Sequence, residues 1–127
     1  MVAIAGALGA TCRWQAARWL SDQRWAQTRW EGLPVGTLWV NVTGCLLLGL
    51  LLSLSGDWLP DRWRLAIGTG FLGSFTTFST FSAETIGLIQ SGTPVVAAVN
   101  VLLQLGVGLT AAAVGLGLGR LIAQTIG

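Results

Sequence analysis

The chain has 127 residues, of which seven are basic, five acidic and 53% apolar, and its net charge is +2. A soluble domain carries about a quarter charged residues, so this composition points to a membrane protein. The lack of His excludes histidine catalysis and histidine metal ligation, and so small a charge, spread along the chain, supports no nucleic-acid patch.

Four apolar spans are predicted, each of the last three opened by one of the three prolines, Pro34, Pro60 and Pro94. The first covers about residues 2–20. It begins MVAIAGALGA, with no basic residue ahead of the apolar part, and so does not resemble a secretory signal peptide. Arg13 and Arg18 interrupt it, which leaves an interfacial helix as the alternative. A charge at the centre of a spanning helix costs about 2.5–3.5 kcal/mol. Arg13 therefore either faces a vestibule, where it raises the local anion concentration, or snorkels to the headgroups. Cys12 and Cys45 lie in apolar stretches at unrelated spacing and read as buried, inert thiols.

The second span, about 35–55, is long and apolar enough to cross a bilayer. It carries Asn41 within GTLWVNVTGCLLLG. An amide at membrane depth needs partners, and its NH₂ has two donors for an anion or a backbone carbonyl. An interhelical hydrogen bond is the plainer alternative.

The third span, about 62–90, contains GFLGSFTTFSTFSAET, with all four phenylalanines and six hydroxyl residues between Ser74 and Ser82. Hydroxyls are costly in hydrocarbon unless something there uses them. At about 1.5 Å per residue the span is roughly 43 Å long, against about 30 Å of hydrocarbon. Tilt accounts for this, or a break where Gly68, Gly70, Gly73, Thr76 and Thr77 weaken the helix. A break frees carbonyl oxygens, and carbonyls from two symmetry-related breaks suit a small hard ion such as Na⁺; an ordinary glycine-containing helix is the alternative. Phe78 and Phe81 are three apart. That spacing by itself suits packing, but positive ring edges also suit an anion held loosely enough to pass. Ser79 and Thr80, between the rings, add hydroxyl donors. Glu84, within this segment, is with Arg13 the ionisable group nearest the membrane interior; a pairing with Arg13 stays open.

The fourth span, about 94–124, places Asn100 and Gln104 on one face, four residues apart. Gly115 and Gly119 form a G-x-x-x-G pair, matched by Gly6 and Ala10 in the first span, and both suit close helix contact and self-association. Trp19, Trp25, Trp30, Trp58 and Trp63 fall near span ends, where indoles anchor in the headgroup region, while Trp14 and Trp39 lie further in.

Arg62, Arg64 and Arg120 fall on one side of a four-span chain and Arg18, Arg24 and Arg29 on the other. Three against three leaves no positive-inside bias, which suits insertion in both orientations and an antiparallel homodimer; the alternative is that a span boundary lies elsewhere and a bias exists.

Together GALGATCRW, LPVGTLWVNVTGCLLLG and TGFLGSFTTFSTFSAET carry a resemblance, over almost the whole chain, to the Fluc (CrcB) family of fluoride channels. The resemblance implies an all-α membrane protein: four transmembrane helices per subunit in one domain, the third helix broken, assembled as an antiparallel dual-topology homodimer with two fluoride pores in the cell membrane. It implies that Phe78 and Phe81 line the fluoride pathway, that Asn41 donates to fluoride, and that Ser79 and Thr80 supply a polar track. Arg13 would stand at the vestibule. The carbonyls of Gly73 and Thr76 would hold a structural Na⁺ at the dimer centre. Where several family members have a tyrosine in the fourth helix this chain has Asn100, and four residues on, where serine is common, it has Gln104. The competing reading is a small dual-topology multidrug transporter. Such carriers depend on a glutamate in the first helix, where this chain has Arg13 and no acid. A non-transporting scaffold leaves the hydroxyl row unexplained, and an enzyme lacks a base, nucleophile pair or metal cluster.

Overall fold

The structure is a computed structural model and describes residues 1–23, 32–54 and 59–126. Arg24, Arg29, Trp25, Trp30 and Trp58 lie outside the described residues. Among the described residues every element is helical: α1 (Val2–Ser21), α2 (Val35–Ser53), α3 (Asp61–Arg64), a π-helix (Leu65–Leu72), α4 (Gly73–Phe75), α5 (Phe78–Gln90) and α6 (Pro94–Ile126). Proline punctuates as its chemistry requires. Pro34 and Pro60 stand immediately before α2 and α3, and Pro94 takes the first position of α6, where a missing N–H costs nothing. Between α5 and α6 the chain turns at Gly92, whose φ of 80° lies in the left-handed region.

Two helices, Val35–Ser53 and the stretch Pro94–Thr125, are long and apolar enough to cross a membrane, each with mean hydropathy 1.9. They form the most extensive helix pair of the fold, lying side by side. Glycine permits the closeness: a Cβ at Gly49 would collide with the Ala112 carbonyl, and one at Gly115 with the Leu46 carbonyl. Ser53 Oγ donates across the same seam to Leu116 O at 2.6 Å. The G-x-x-x-G pair is thus engaged inside the chain, since Gly119 lies against Leu50 and Ser53 of α2. Gly6, of the matching pair in α1, likewise faces Ser74 of α4. The close helix contact expected of Gly6, Gly115 and Gly119 is thus made within one subunit.

α1 packs along the π-helix and α4, and against α2. A π-helix of this length is uncommon, and its widened turns pass close to α1. A Cβ at Gly70 would come within 2.9 Å of both Ala5 Cβ and the Val2 carbonyl. The helix stops at Phe75. Thr76 (φ −81°, ψ 154°) and Thr77 (φ −150°, ψ 109°) are extended, and α5 restarts at Phe78.

Among the described residues the buried core is small. Val40, Ala66, Leu72, Phe81 and Ala97 belong to it, together with four polar residues, Thr37, Thr77, Asn100 and Gln104. Cys12 is exposed and Cys45 half-buried. The expectation of two buried thiols is corrected for Cys12: α1 meets its neighbours along a glycine-rich stripe (Gly6, Gly9), and Cys12 lies off it.

Candidate functional site

Thr77 is the pivot of the interruption. In an unbroken helix its N–H would donate to the Gly73 carbonyl; here it donates to Asn41 Oδ1 at 2.9 Å. The Asn41 NH₂ in turn donates to the Thr77 carbonyl at 3.4 Å and to Gln104 Oε1 at 3.0 Å. Thr77 Oγ1 accepts from the Thr80 N–H at 3.2 Å, a side-chain N-cap on α5. It also lies 3.0 Å from Thr80 Oγ1 and 3.2 Å from Ser79 Oγ. These two diversions release the Gly73 and Thr76 carbonyls from the N–H groups a continuous helix would offer them.

Thr77 also lines two cavities at once. The first, about 260 Å³, is bounded by Asn41, Gly73, Thr76, Phe78, Phe81 and Gln104, among others. The second, about 300 Å³, is bounded by Arg13, Arg18, Thr37, Thr80 and Glu84, with Trp14 and Ala17 of α1. The interruption therefore brings a polar backbone segment between an aromatic chamber and a charged one.

In the aromatic chamber Phe81 is buried while Phe78 is 76% exposed, and their rings meet at 5.5 Å with a 59° tilt. A tilted pair at that distance is a favourable aromatic packing geometry. Phe71 and Phe75 instead stack at 5.8 Å and 10°, a packing pair outside the site. In the charged chamber Thr37 donates to Glu84 Oε1 at 2.7 Å, while Glu84 Oε2 and Arg13 Nε are buried without hydrogen-bond partners. Arg13 and Glu84 share this cavity but form no ion pair; among the described residues the salt bridge is that of Arg64 and Asp61. Arg18 lies over the Trp14 ring at 5.5 Å.

Of the residues singled out from the sequence, Asn41, Gly73, Thr76, Phe78 and Phe81 line the first cavity and Arg13 and Thr80 the second. Ser79 reaches the interruption through Thr77 Oγ1. Asn41 was expected to donate to an anion; in this structure its NH₂ is engaged by Thr77 and Gln104. Sequence reasoning passed over Thr77 and Thr37 as site residues. Their signals were present. Thr77 precedes α5 with Thr80 three residues on, a capping spacing. Thr37 is four residues before Asn41, on the same helical face.

The sequence profile of the family described as "CrcB-like protein, Camphor Resistance (CrcB)" matches residues 1–116. Similar curated proteins carry the name "Fluoride-specific ion channel FluC". That of Deinococcus radiodurans is 47% identical, the match covering 93% of this chain and 91% of that protein. That of Syntrophotalea carbinolica is 45% identical, covering 94% of each. That of Erythrobacter litoralis is 41% identical, covering 96% and 91%. With its apolar helices and a profile match across nearly its whole length, the chain belongs to the CrcB family of membrane proteins.

Proposed function

We propose that this protein is a fluoride-selective channel that lets F⁻ leave the cell passively, relieving fluoride toxicity. The need follows from weak-acid chemistry: HF crosses a bilayer, ionises inside, and the anion is trapped. The observation that carries the reading is the pair of chambers that share Thr77 in their walls, one lined by arginines, hydroxyls and Glu84 and the other by Phe78 and Phe81. The relatives named as fluoride-specific channels support it. Nothing favours the multidrug-transporter alternative, since α1 holds no acid.

In this reading Arg13 concentrates anions at the vestibule. Thr80 and Ser79 provide hydroxyl donors along α5, and Phe78 and Phe81 present ring edges that bind fluoride weakly enough for it to move on. Asn41 belongs to the pathway at the interruption. Two subunits in antiparallel, dual-topology arrangement form the working unit in the cell membrane, each crossing it four times. The even arginine distribution supports this, as does the apolar surface left uncovered, including Leu102 and Leu109 of α6. A Na⁺ ion at the dimer centre would be held by the carbonyls of Gly73 and Thr76. The donor set fits: hard oxygens whose helical N–H partners are diverted to Asn41 Oδ1 and Thr77 Oγ1. Such an ion would neutralise carbonyl dipoles otherwise facing one another across the interface.

The test is fluoride efflux from liposomes carrying the purified protein. Phe81→Ile is expected to slow efflux by at least about tenfold, equivalent to roughly 1.4 kcal/mol of barrier. Wild-type rates in that variant would remove the aromatic pathway, and protein-free rates in the wild type would remove the function.

A further inference from the structure

The Thr76 carbonyl shares one peptide unit with the Thr77 N–H. That peptide is trans, so its C=O and N–H point to opposite sides of the plane. The N–H meets Asn41 Oδ1 at 2.9 Å, which turns the Thr76 carbonyl away from Asn41. One end of the peptide is thus anchored. The other end is the Thr76 Cα, and its orientation depends on the Thr76 side chain.

That side chain is gripped on two sides. Its hydroxyl donates to Leu72 O at 3.1 Å, the same carbonyl that receives the Thr76 N–H at 3.0 Å. A β-branched residue carries two heavy atoms on Cβ, so placing Oγ1 also places the methyl. The methyl points at α2 and fills the space a side chain would take at Gly44: a Cβ there would collide with Thr76 Cγ2. Gly44 is buried, three residues from Asn41 and on the same side of the helix. Glycine weakens a helix relative to alanine; here its missing side chain seats the third span. The next atoms around that point, Phe75 Cδ1 at 3.4 Å and Thr76 Cβ at 3.7 Å, lie at ordinary contact distance. The obstacle to a methyl on Gly44 is therefore the methyl of Thr76.

We infer that Gly44 is a positioning residue: its notch and the Leu72 carbonyl fix the Thr76 side chain, and through it the direction in which the Thr76 carbonyl faces at the interruption. The inference rests on the reading in which that carbonyl takes part in holding Na⁺. It adds to that reading a residue of α2 that acts through its neighbour.

The test moves one methyl between the two helices. Gly44→Ala adds a methyl where Thr76 Cγ2 lies. Thr76→Ser removes Cγ2 and keeps the hydroxyl, and the double variant combines the two. Each protein is purified in detergent, and its thermal midpoint is followed as NaCl replaces N-methyl-D-glucamine chloride at constant ionic strength. A ligand bound by the folded state alone raises the midpoint once its concentration passes Kd, so the curve yields a Kd for Na⁺ without any flux measurement. That Kd is expected to rise at least about tenfold in Gly44→Ala, to rise less in Thr76→Ser, and to return close to wild type in the double variant, because changes that share one space are not additive. A lowered midpoint with an unchanged Kd is the mark of plain overpacking and overturns the inference, as does a double variant no better than Gly44→Ala. If Gly44→Ala alone does not elute with wild type on size exclusion, the other two variants decide: a raised Kd in Thr76→Ser with recovery in the double variant supports the inference, and any other result overturns it. A wild-type midpoint indifferent to Na⁺ removes the Na⁺ reading and this inference with it, while fluoride efflux from liposomes tests the channel separately.

Discussion

Thr77 concentrates three tasks in one residue: its N–H and carbonyl engage Asn41, its hydroxyl caps α5, and its side chain lies between two chambers. The capping task is separable. Thr77→Val keeps the shape and β-branching but removes Oγ1. Losing an N-cap costs about 0.5–2 kcal/mol, so a lower thermal midpoint is expected in detergent, with the helical circular dichroism of the folded state retained. An unchanged midpoint would mean that the hydroxyl does not anchor α5. Thr37 offers a second residue-level test. Thr37→Val leaves Glu84 Oε1 without its 2.7 Å donor beside an Oε2 already lacking one. The cost of an unsatisfied buried acceptor is about 1–3 kcal/mol and more when charged. Destabilisation is therefore expected, and Thr37→Ser, which restores the hydroxyl, is expected to recover most of it. Equal midpoints for the Val and Ser variants would show the contact to be idle.

Among the elements, the α2–α6 pair is the frame against which the interrupted third span is held. Its closeness depends on Gly49 and Gly115, where a side chain would meet backbone and not a movable side-chain tip. Gly115→Val is expected to force the helices apart. Overpacking costs about 1–3 kcal/mol, and more where backbone must move. Because Asn41 on α2 reaches Gln104 on α6, the same separation would pull apart the polar chain ending in the aromatic chamber. Efflux should therefore fall along with stability. Gly117→Val, at a position with open space around it, is the control expected to retain both. The third span illustrates why its geometry was only partly legible. Glycines and hydroxyls marked a weak stretch between Gly68 and Thr77, but the eight residues of π-helix lie against α1, and the two extended threonines beyond α4 engage Asn41 of α2. No local pattern encodes those partners.

At the scale of the whole molecule, one chain leaves much surface uncovered. Its accessible area is 8004 Å² at 13.3 kDa, against roughly 6,500 Å² for a compact soluble protein of that mass. Large apolar side chains on α1, α2 and α6 face outward, a surface that a bilayer and a second subunit would cover. Chemical cross-linking of the purified protein in detergent is expected to give a dimer. Labelling of a single cysteine introduced at Ser91 into a Cys12→Ala, Cys45→Ala background is expected to proceed from both faces of the membrane. Labelling from one face alone would exclude dual topology.

From sequence alone came the membrane class, the proline-marked helix starts and the gathering of rings and hydroxyls at 70–85, because composition and helical spacing are local properties. The family, too, was legible, since its motifs are contiguous. The tertiary structure decided which polar groups meet. It turned the Asn41 amide onto Thr77, set Thr37 against Glu84, kept Arg13 and Glu84 unpaired in one cavity, and brought Gln104 to the phenylalanines from 63 residues beyond Asn41. Hydrogen bonds in a low-dielectric interior depend on angle and on which atom of an amide is already engaged. Those facts exist only once distant helices have been laid side by side.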